Sequence, residues 1–137
     1  MAVDIQVTYT GELRCEAVHG PSGTTLHTDA PADNMGKGES FSPTDLVPTS
    51  LGACILTTMA ILAERREVDI SGARVDVQKH MVADPQRRIA RLPVTVTMPA
   101  GIPGEFRERL EKAAHTCPVH RSLGADVDAP IEFVWPD

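Results

Sequence analysis

The chain has 137 residues and a formal net charge of −6, and this length favours one domain, residues 1–137, with its own core. The acidic balance argues against nucleic acid or an anionic membrane surface as the main partner, because both bind basic surfaces. Aromatic residues make up only 4% of the chain, so the core must be built from aliphatic side chains, methionine and alanine.

Three short strands and a loop are predicted for the first part of the chain. Residues 3–10 alternate apolar and polar side chains of β-forming types, which is typical of a strand. Turn-forming residues then separate two further strands, at 13–18 and 24–29. Residues 30–41 contain two glycines and are predicted to form an irregular loop.

A long helix is predicted from Ser42 to about Arg66. Ser42 would be the N-cap, Pro43 would take the first helical position, and Asp45 would reach back to complete a capping box. Residues 51–63 are apolar on nearly every side, which predicts a helix buried all round. Because a single small domain has too few other elements to cover such a helix, we expect a homodimer with a large apolar interface.

The second half of the chain predicts a hairpin, a helix, a tight turn and a last strand. Residues 73–81 and 89–98 would pair around the Asp-Pro-Gln turn at 84–86, and an amphipathic helix follows Pro103. A helical turn at 116–123 then precedes a strand within 126–135. The predicted order, βββ-α-ββ-αα-β, places the chain in the α+β class.

A cytoplasmic location is expected. The N-terminal segment carries an acid too early for a secretory signal. The most apolar stretch, residues 46–63, contains a proline and four hydroxyl side chains, and falls short of the ~20 apolar residues of a spanning helix. In a reducing compartment the three cysteines would be thiols, and any disulfide would be transient and catalytic.

The three cysteines differ in what their surroundings predict. Cys54 lies in the apolar helix, where a free cysteine usually packs as a small hydrophobic side chain, and Cys15 lies on an edge-like strand. Cys117 precedes a proline at the start of a short helix that Thr116 would cap, with His120 one turn away. A helix start and basic neighbours lower a thiol pKa, so residue chemistry alone favours Cys117 as the reactive thiol.

Neither a metal site nor a cofactor site is expected. The spacing Cys-x-x-His from Cys117 to His120 matches half of a zinc site, but a structural zinc ion needs four ligands and no second pair is visible. The chain has no glycine-rich phosphate loop, nucleophile-elbow serine or HExxH motif.

Two stretches of the sequence resemble one protein family. The run FSPTDLVPTSLGACILTTM, followed 63 residues after its cysteine by HTCPVHRSL, resembles the OsmC/Ohr family of osmotically inducible protein C and organic hydroperoxide resistance proteins. The resemblance covers nearly the whole chain in element order. It implies an intertwined α+β homodimer, with antiparallel sheets around a long buried central helix and two active sites at the subunit interface.

The resemblance also implies a function and roles for two residues. Cys54 would attack an organic hydroperoxide as thiolate and become a sulfenic acid, and Cys117 would condense with it to a disulfide. A dithiol reductant, lipoyl-type in the best-known branch, would restore both thiols. The family therefore favours Cys54 as the first thiol to react, in conflict with the helix-start argument for Cys117.

The sequence departs from the family at the group that stabilises the thiolate. The peroxidase branch uses an N-terminal arginine, held by a glutamate ten residues before the first cysteine. Here that position is Thr44, the nearest acid is Asp45, and Arg14 is the one N-terminal candidate for the cation. Two further hypotheses therefore stay open: a binding or sensing module for a small apolar or thiol-reactive molecule, and a structural dimer whose cysteines only pack.

Overall fold

The computed structural model describes residues 1–136 of the chain, which fall into two compact units, one ending at Val47 and one beginning at Pro48. This division into two units does not test the expectation of a single domain, which stays a prediction. The elements of the described residues are β1 (Ile5–Gly11), β2 (Arg14–His19), β3 (Thr25–Asp29), a 3-10 helix (Ala32–Asn34), α1 (Leu46–Arg65), β4 (Arg74–Val77), β5 (His80–Val82), β6 (Arg88–Arg91), β7 (Val94–Thr97), α2 (Gly104–Ala114), α3 (Pro118–Arg121) and β8 (Ile131–Val134).

The first unit is built on an antiparallel sheet in the order β1-β2-β3. The β1–β2 turn needs left-handed backbone at three successive residues, Gly11, Glu12 and Leu13, and glycine supplies the largest of these φ angles, 94°. The three predicted strands are confirmed. The edge-like position predicted for Cys15 is wrong, because β2 lies between its two neighbours and Cys15 pairs with both Tyr9 and Thr28.

The predicted capping box is present just ahead of α1. The Ser42 amide donates to Asp45 Oδ2 at 2.9 Å, and the Asp45 amide donates to Ser42 Oγ at 3.2 Å. The residues between them form a turn, so regular helix begins at Leu46, later than predicted. Pro48 falls in the first helical turn, where a missing N–H removes no helical hydrogen bond.

One face of α1 is buried. Leu51, Ile55, Met59 and Ala63 recur every four residues and are at most 1% exposed. Ala53, Thr57 and Ile61, which also recur every four residues, are exposed in the single chain, in line with the expectation that one small domain cannot cover this helix. That a second copy covers them stays a prediction. By length and composition α1 is the one described helix that could cross a membrane, a test that the core helix of a soluble protein also passes.

The second unit contains the predicted hairpin in two parts. β4 pairs antiparallel with β7, and β5 pairs antiparallel with β6 across the turn at residues 84–86. β8 adds to β7 in parallel, giving the order β4-β7-β8. The α+β class is confirmed, and with it the two predicted helices after residue 103.

Candidate active site

Cys54 is carried by α1 at a place where the helix lies close to a sheet. A Cβ added at Gly52 would meet Val75 Cγ1 of β4 at 3.3 Å and Val77 Cγ2 at 3.6 Å, so the glycine permits this close approach. Two residues later the Cys54 side chain is partly exposed rather than buried. Its thiol contacts the Thr58 hydroxyl one turn further along the helix, at 3.9 Å.

Cys117 lies between α2 and α3 and is fully buried. It is itself the N-cap of α3, with Pro118 at the first helical position, and its Sγ accepts the His120 amide at 3.4 Å. The prediction that Thr116 caps this turn is wrong. The Thr116 hydroxyl instead donates backwards to the Ala113 carbonyl at 2.7 Å, which satisfies the end of α2.

The structure brings Cys54 and Cys117 together, 63 residues apart in sequence, as hydrogen-bonding partners. Burial pushes the pKa of Cys54 upwards. Hydrogen bonds from the Cys117 thiol, the Val119 amide and the Thr58 hydroxyl outweigh that effect, so the pKa of Cys54 lies below its ordinary value. All three donors stabilise the thiolate form of Cys54.

The pKa of Cys117 is raised, first by burial and next by the hydrogen bond to Cys54, which holds its proton in place. The expectation from the helix start, that Cys117 is the more acidic thiol, is therefore wrong. The helix-start argument overestimated how far the helix amides lower the pKa of Cys117. A single turn of helix supplies the two amides of Val119 and His120, and their effect on Cys117 is smaller than the cost of burying its charge.

Two histidines lie on either side of Cys117 in the sequence, at positions 115 and 120. His120 Nε2 bonds to the Ala129 carbonyl at 2.9 Å, and the His115 ring lies edge-on to His120 and to Phe133. Among residues 1–136 no cluster of three potential metal ligands occurs.

The candidate cation Arg14 lies in the first unit, where acids already surround it. Its Nη2 donates to Glu39 at 3.0 Å, and its Nε lies 3.7 Å from Oδ1 of the buried Asp29. At the position of the family glutamate, the Thr44 hydroxyl lies 3.2 Å from that of Ser42.

Sequence reasoning found the two cysteines but missed Thr58 and the Val119 amide. The spacing of four residues between Cys54 and Thr58 on a helix could have identified the hydroxyl, because side chains at that spacing share one face. The amide had no sequence signal, since only tertiary structure brings α3 to Cys54.

Solved structures with this fold include a Psychrobacter arcticus protein described as an osmotic stress induced and detoxification response protein. It is 41% identical over 95% of this chain and 94% of its own, with a TM-score of 0.88. An OsmC-like protein of Mycoplasma pneumoniae matches at 16% identity and a TM-score of 0.81, over 100% of this chain and 99% of its own. The organic hydroperoxide resistance protein OhrB of Bacillus subtilis matches at 16% and 0.68, over 98% of each chain.

A comparison with curated protein sequences finds no match. The family model for OsmC-like proteins matches residues 36–132, which include Cys54, Cys117 and every element from α1 to the start of β8. That match and the Psychrobacter relative agree with the resemblance carried by the two cysteine motifs, and the chain belongs to the OsmC-like family.

Proposed function

We propose that this chain is a thiol-dependent peroxidase that reduces organic hydroperoxides through Cys54 and Cys117. The observation that carries the proposal is the thiol pair itself: a partly exposed cysteine with a lowered pKa beside a buried cysteine that keeps its proton. A peroxidase needs a thiolate that the substrate can reach and a second thiol within reach of the product. Relatives of the same fold are named for organic hydroperoxide resistance.

The first step transfers one oxygen atom. The Cys54 thiolate attacks the distal oxygen of the hydroperoxide, so that an S–O bond forms, the O–O bond breaks and the sulfur is oxidised to a sulfenic acid. The leaving alkoxide takes the proton of the Cys117 thiol and departs as an alcohol. Among the groups bonded to Cys54, the Cys117 thiol is a far stronger acid than the Thr58 hydroxyl or the Val119 amide.

The second step closes a disulfide. Having lost its proton, Cys117 is a thiolate and attacks the sulfenic sulfur of Cys54, and the oxygen leaves as hydroxide. A dithiol reductant, lipoyl-type by family analogy, then reduces the disulfide and is itself oxidised to a disulfide. No metal or cofactor enters either step.

A homodimer is part of the proposal. Ile61 on α1, and Ile5, Val7 and Tyr9 on one face of β1, are between 49% and 64% exposed, and apolar faces of this kind usually mark an interface. Light scattering should give twice the chain mass of 14.8 kDa. Ile61→Asp should remove that species and Ile61→Val should keep it, whereas a wild-type monomer would contradict the proposal.

Steady-state consumption of cumene hydroperoxide with dihydrolipoamide tests the function directly. The wild type should turn over, with one disulfide reduced per peroxide consumed. Hydrogen peroxide should be the poorer substrate, because the apolar side chains near Cys54 on α1 favour an alkyl group.

A binding or sensing module is the second candidate function. Arg14 favours it, because the guanidinium that would serve as the catalytic cation is shared between Asp29 and Glu39. In that case Cys54 would be modified stoichiometrically without turnover. A single equivalent consumed, with no further loss of peroxide when dithiol is present, would support the module over the enzyme.

A further inference from the structure

The side chain of His120 joins the one-turn helix α3 to the sheet. Its Nε2 donates to the Ala129 carbonyl at 2.9 Å. The carbonyls on either side of Ala129, just ahead of β8, are held by backbone hydrogen bonds, because the Leu92 amide donates to Asp128 at 2.8 Å and the Val94 amide donates to Pro130 at 2.9 Å. The acceptor of the His120 bond is therefore part of a rigid frame.

The helix that His120 holds is too short to be stable alone. α3 has four residues, and its backbone makes few bonds of its own, such as the Arg121 amide to the Cys117 carbonyl at 3.1 Å. Helices far longer than one turn are marginal in water, so α3 depends on contacts outside itself. His120 provides a directional one, supplemented by the edge of the His115 ring, the titratable neighbour of the imidazole, at 6.5 Å between centroids.

The same turn carries the amides that contact both sulfur atoms. The His120 amide donates to Cys117 Sγ at 3.4 Å, and the Val119 amide is one of the donors that lower the pKa of Cys54. The strength of an N–H···S bond depends on distance and angle, so a turn that moves loses it. We propose that His120 is a positioning residue, which fixes α3 and thereby aims the Val119 and His120 amides at the Cys54–Cys117 pair.

The inference rests on Cys54 being the reactive thiol of the proposed function, but its test needs no peroxide. Alkylation of Cys54 by iodoacetamide across a pH series, followed by peptide mass spectrometry, reports the thiolate fraction at that residue alone. A chain that alkylates normally but consumes no hydroperoxide would contradict the peroxidase and leave the role of His120 standing.

His120→Ala and His120→Leu should each move the midpoint of Cys54 alkylation to higher pH. On the acidic side of the midpoint, alkylation should slow by about tenfold, the size expected when a hydrogen bond to a charged group is lost. His120→Gln should restore the wild-type profile, because its side-chain amide can donate to the Ala129 carbonyl. Leucine fills the space of the ring, so that at least one variant without a donor keeps the packing.

A purely structural role for His120 predicts a different result. If His120 only fills space, its loss would change how easily the reagent reaches Cys54 and would alter the alkylation rate equally at every pH. If His120 positions the amides, the alkylation rate should be unchanged at high pH, where Cys54 is fully ionised. His80→Ala, which removes an exposed histidine whose ring Nε2 bonds to Gln78 at 3.0 Å, is the matched control and should behave as the wild type. A wild-type midpoint in both His120→Ala and His120→Leu, or failure of His120→Gln to restore it, would overturn the inference.

Discussion

Asp29 and Cys54 both have a lowered pKa, and the groups that lower it differ. In the first unit the buried carboxylate of Asp29 accepts the Glu39 amide at 3.0 Å and faces the Arg14 guanidinium. Its pKa is lowered, chiefly by the Glu39 amide and further by the positive charge of Arg14. In the second unit burial raises the pKa of Cys54, and hydrogen bonds from a thiol, an amide and a hydroxyl outweigh that effect and lower it.

The surroundings of Asp29 and of Cys54 suit different tasks. The Glu39 amide, helped by the charge of Arg14, favours the ionised form of Asp29, which serves as a structural anchor for the 30–41 loop. Neutral donors favour the thiolate form of Cys54, which in the proposed function attacks the substrate. Among the described residues, hydrogen bonds alone account for the lowered pKa of Cys54.

Removing either sulfur should give the largest effects. Cys54→Ser should abolish hydroperoxide consumption, because no other thiol in the pair has a lowered pKa. Cys117→Ser should permit one oxidation per chain and leave a sulfenic acid on Cys54 that dimedone traps, because the second thiol acts only after oxygen transfer. Mass spectrometry after one equivalent of peroxide locates the label.

Cys15→Ser is the control for these variants and should turn over like the wild type. A dimedone label on Cys117 in Cys54→Ser would reverse the roles assigned to the two cysteines. A label on neither cysteine in either variant would favour the binding module.

Asp29 tests the other half of the comparison through stability. Because the pKa of Asp29 is lower in the folded chain, its contribution is complete above the unfolded pKa, near 3.8, and is lost as pH falls through the folded value. Asp29→Asn should therefore lower the melting temperature at pH 7 and flatten its dependence on pH below 4. Glu39→Gln, at an exposed pair, should change the melting temperature little.

Cys117→Ala should weaken the Cys54 thiolate without removing it. Loss of the thiol donor raises the pKa of Cys54, so alkylation below the midpoint should slow by about tenfold. If Cys117 also supplies the proton for the alkoxide, the first oxidation should slow most for hydroperoxides whose alcohols are weak acids. A uniform slowing across such a series would leave Cys117 as a hydrogen-bond donor and resolving thiol only.

Much of this fold follows from local pattern. The capping box at Ser42 and Asp45, the turn at 84–86 and the alternation along β7 were predictable because each depends on residues close in sequence. The parallel pairing of β8 with β7 was not, because nothing within either strand specifies its neighbour. The apolar composition of α1 predicted that one chain could not cover the helix, but not which of its faces that chain buries.

The candidate site also has some features that the sequence predicts and others that depend on tertiary structure. Both cysteines could be identified from their motifs, but the direction of each thiol pKa depends on which partner donates a hydrogen bond to the other. Helix position suggested Cys117, and the full burial of that residue reversed the order. Contacts that join distant segments, such as the Val119 amide with Cys54, are decided by tertiary packing alone.

Ionic strength should produce the smallest and most specific effect. Salt screens the attraction between separated charges, with a Debye length of about 10 Å at 0.1 M, but acts weakly on a hydrogen bond at contact distance. The midpoint of Cys54 alkylation should therefore stay nearly constant between low and high salt. The pKa of Asp29, followed by NMR, should rise slightly as Arg14 is screened. A Cys54 midpoint that climbs with salt would reveal a cation acting on the thiolate, and repeating the series with Arg14→Gln would show whether Arg14 supplies it.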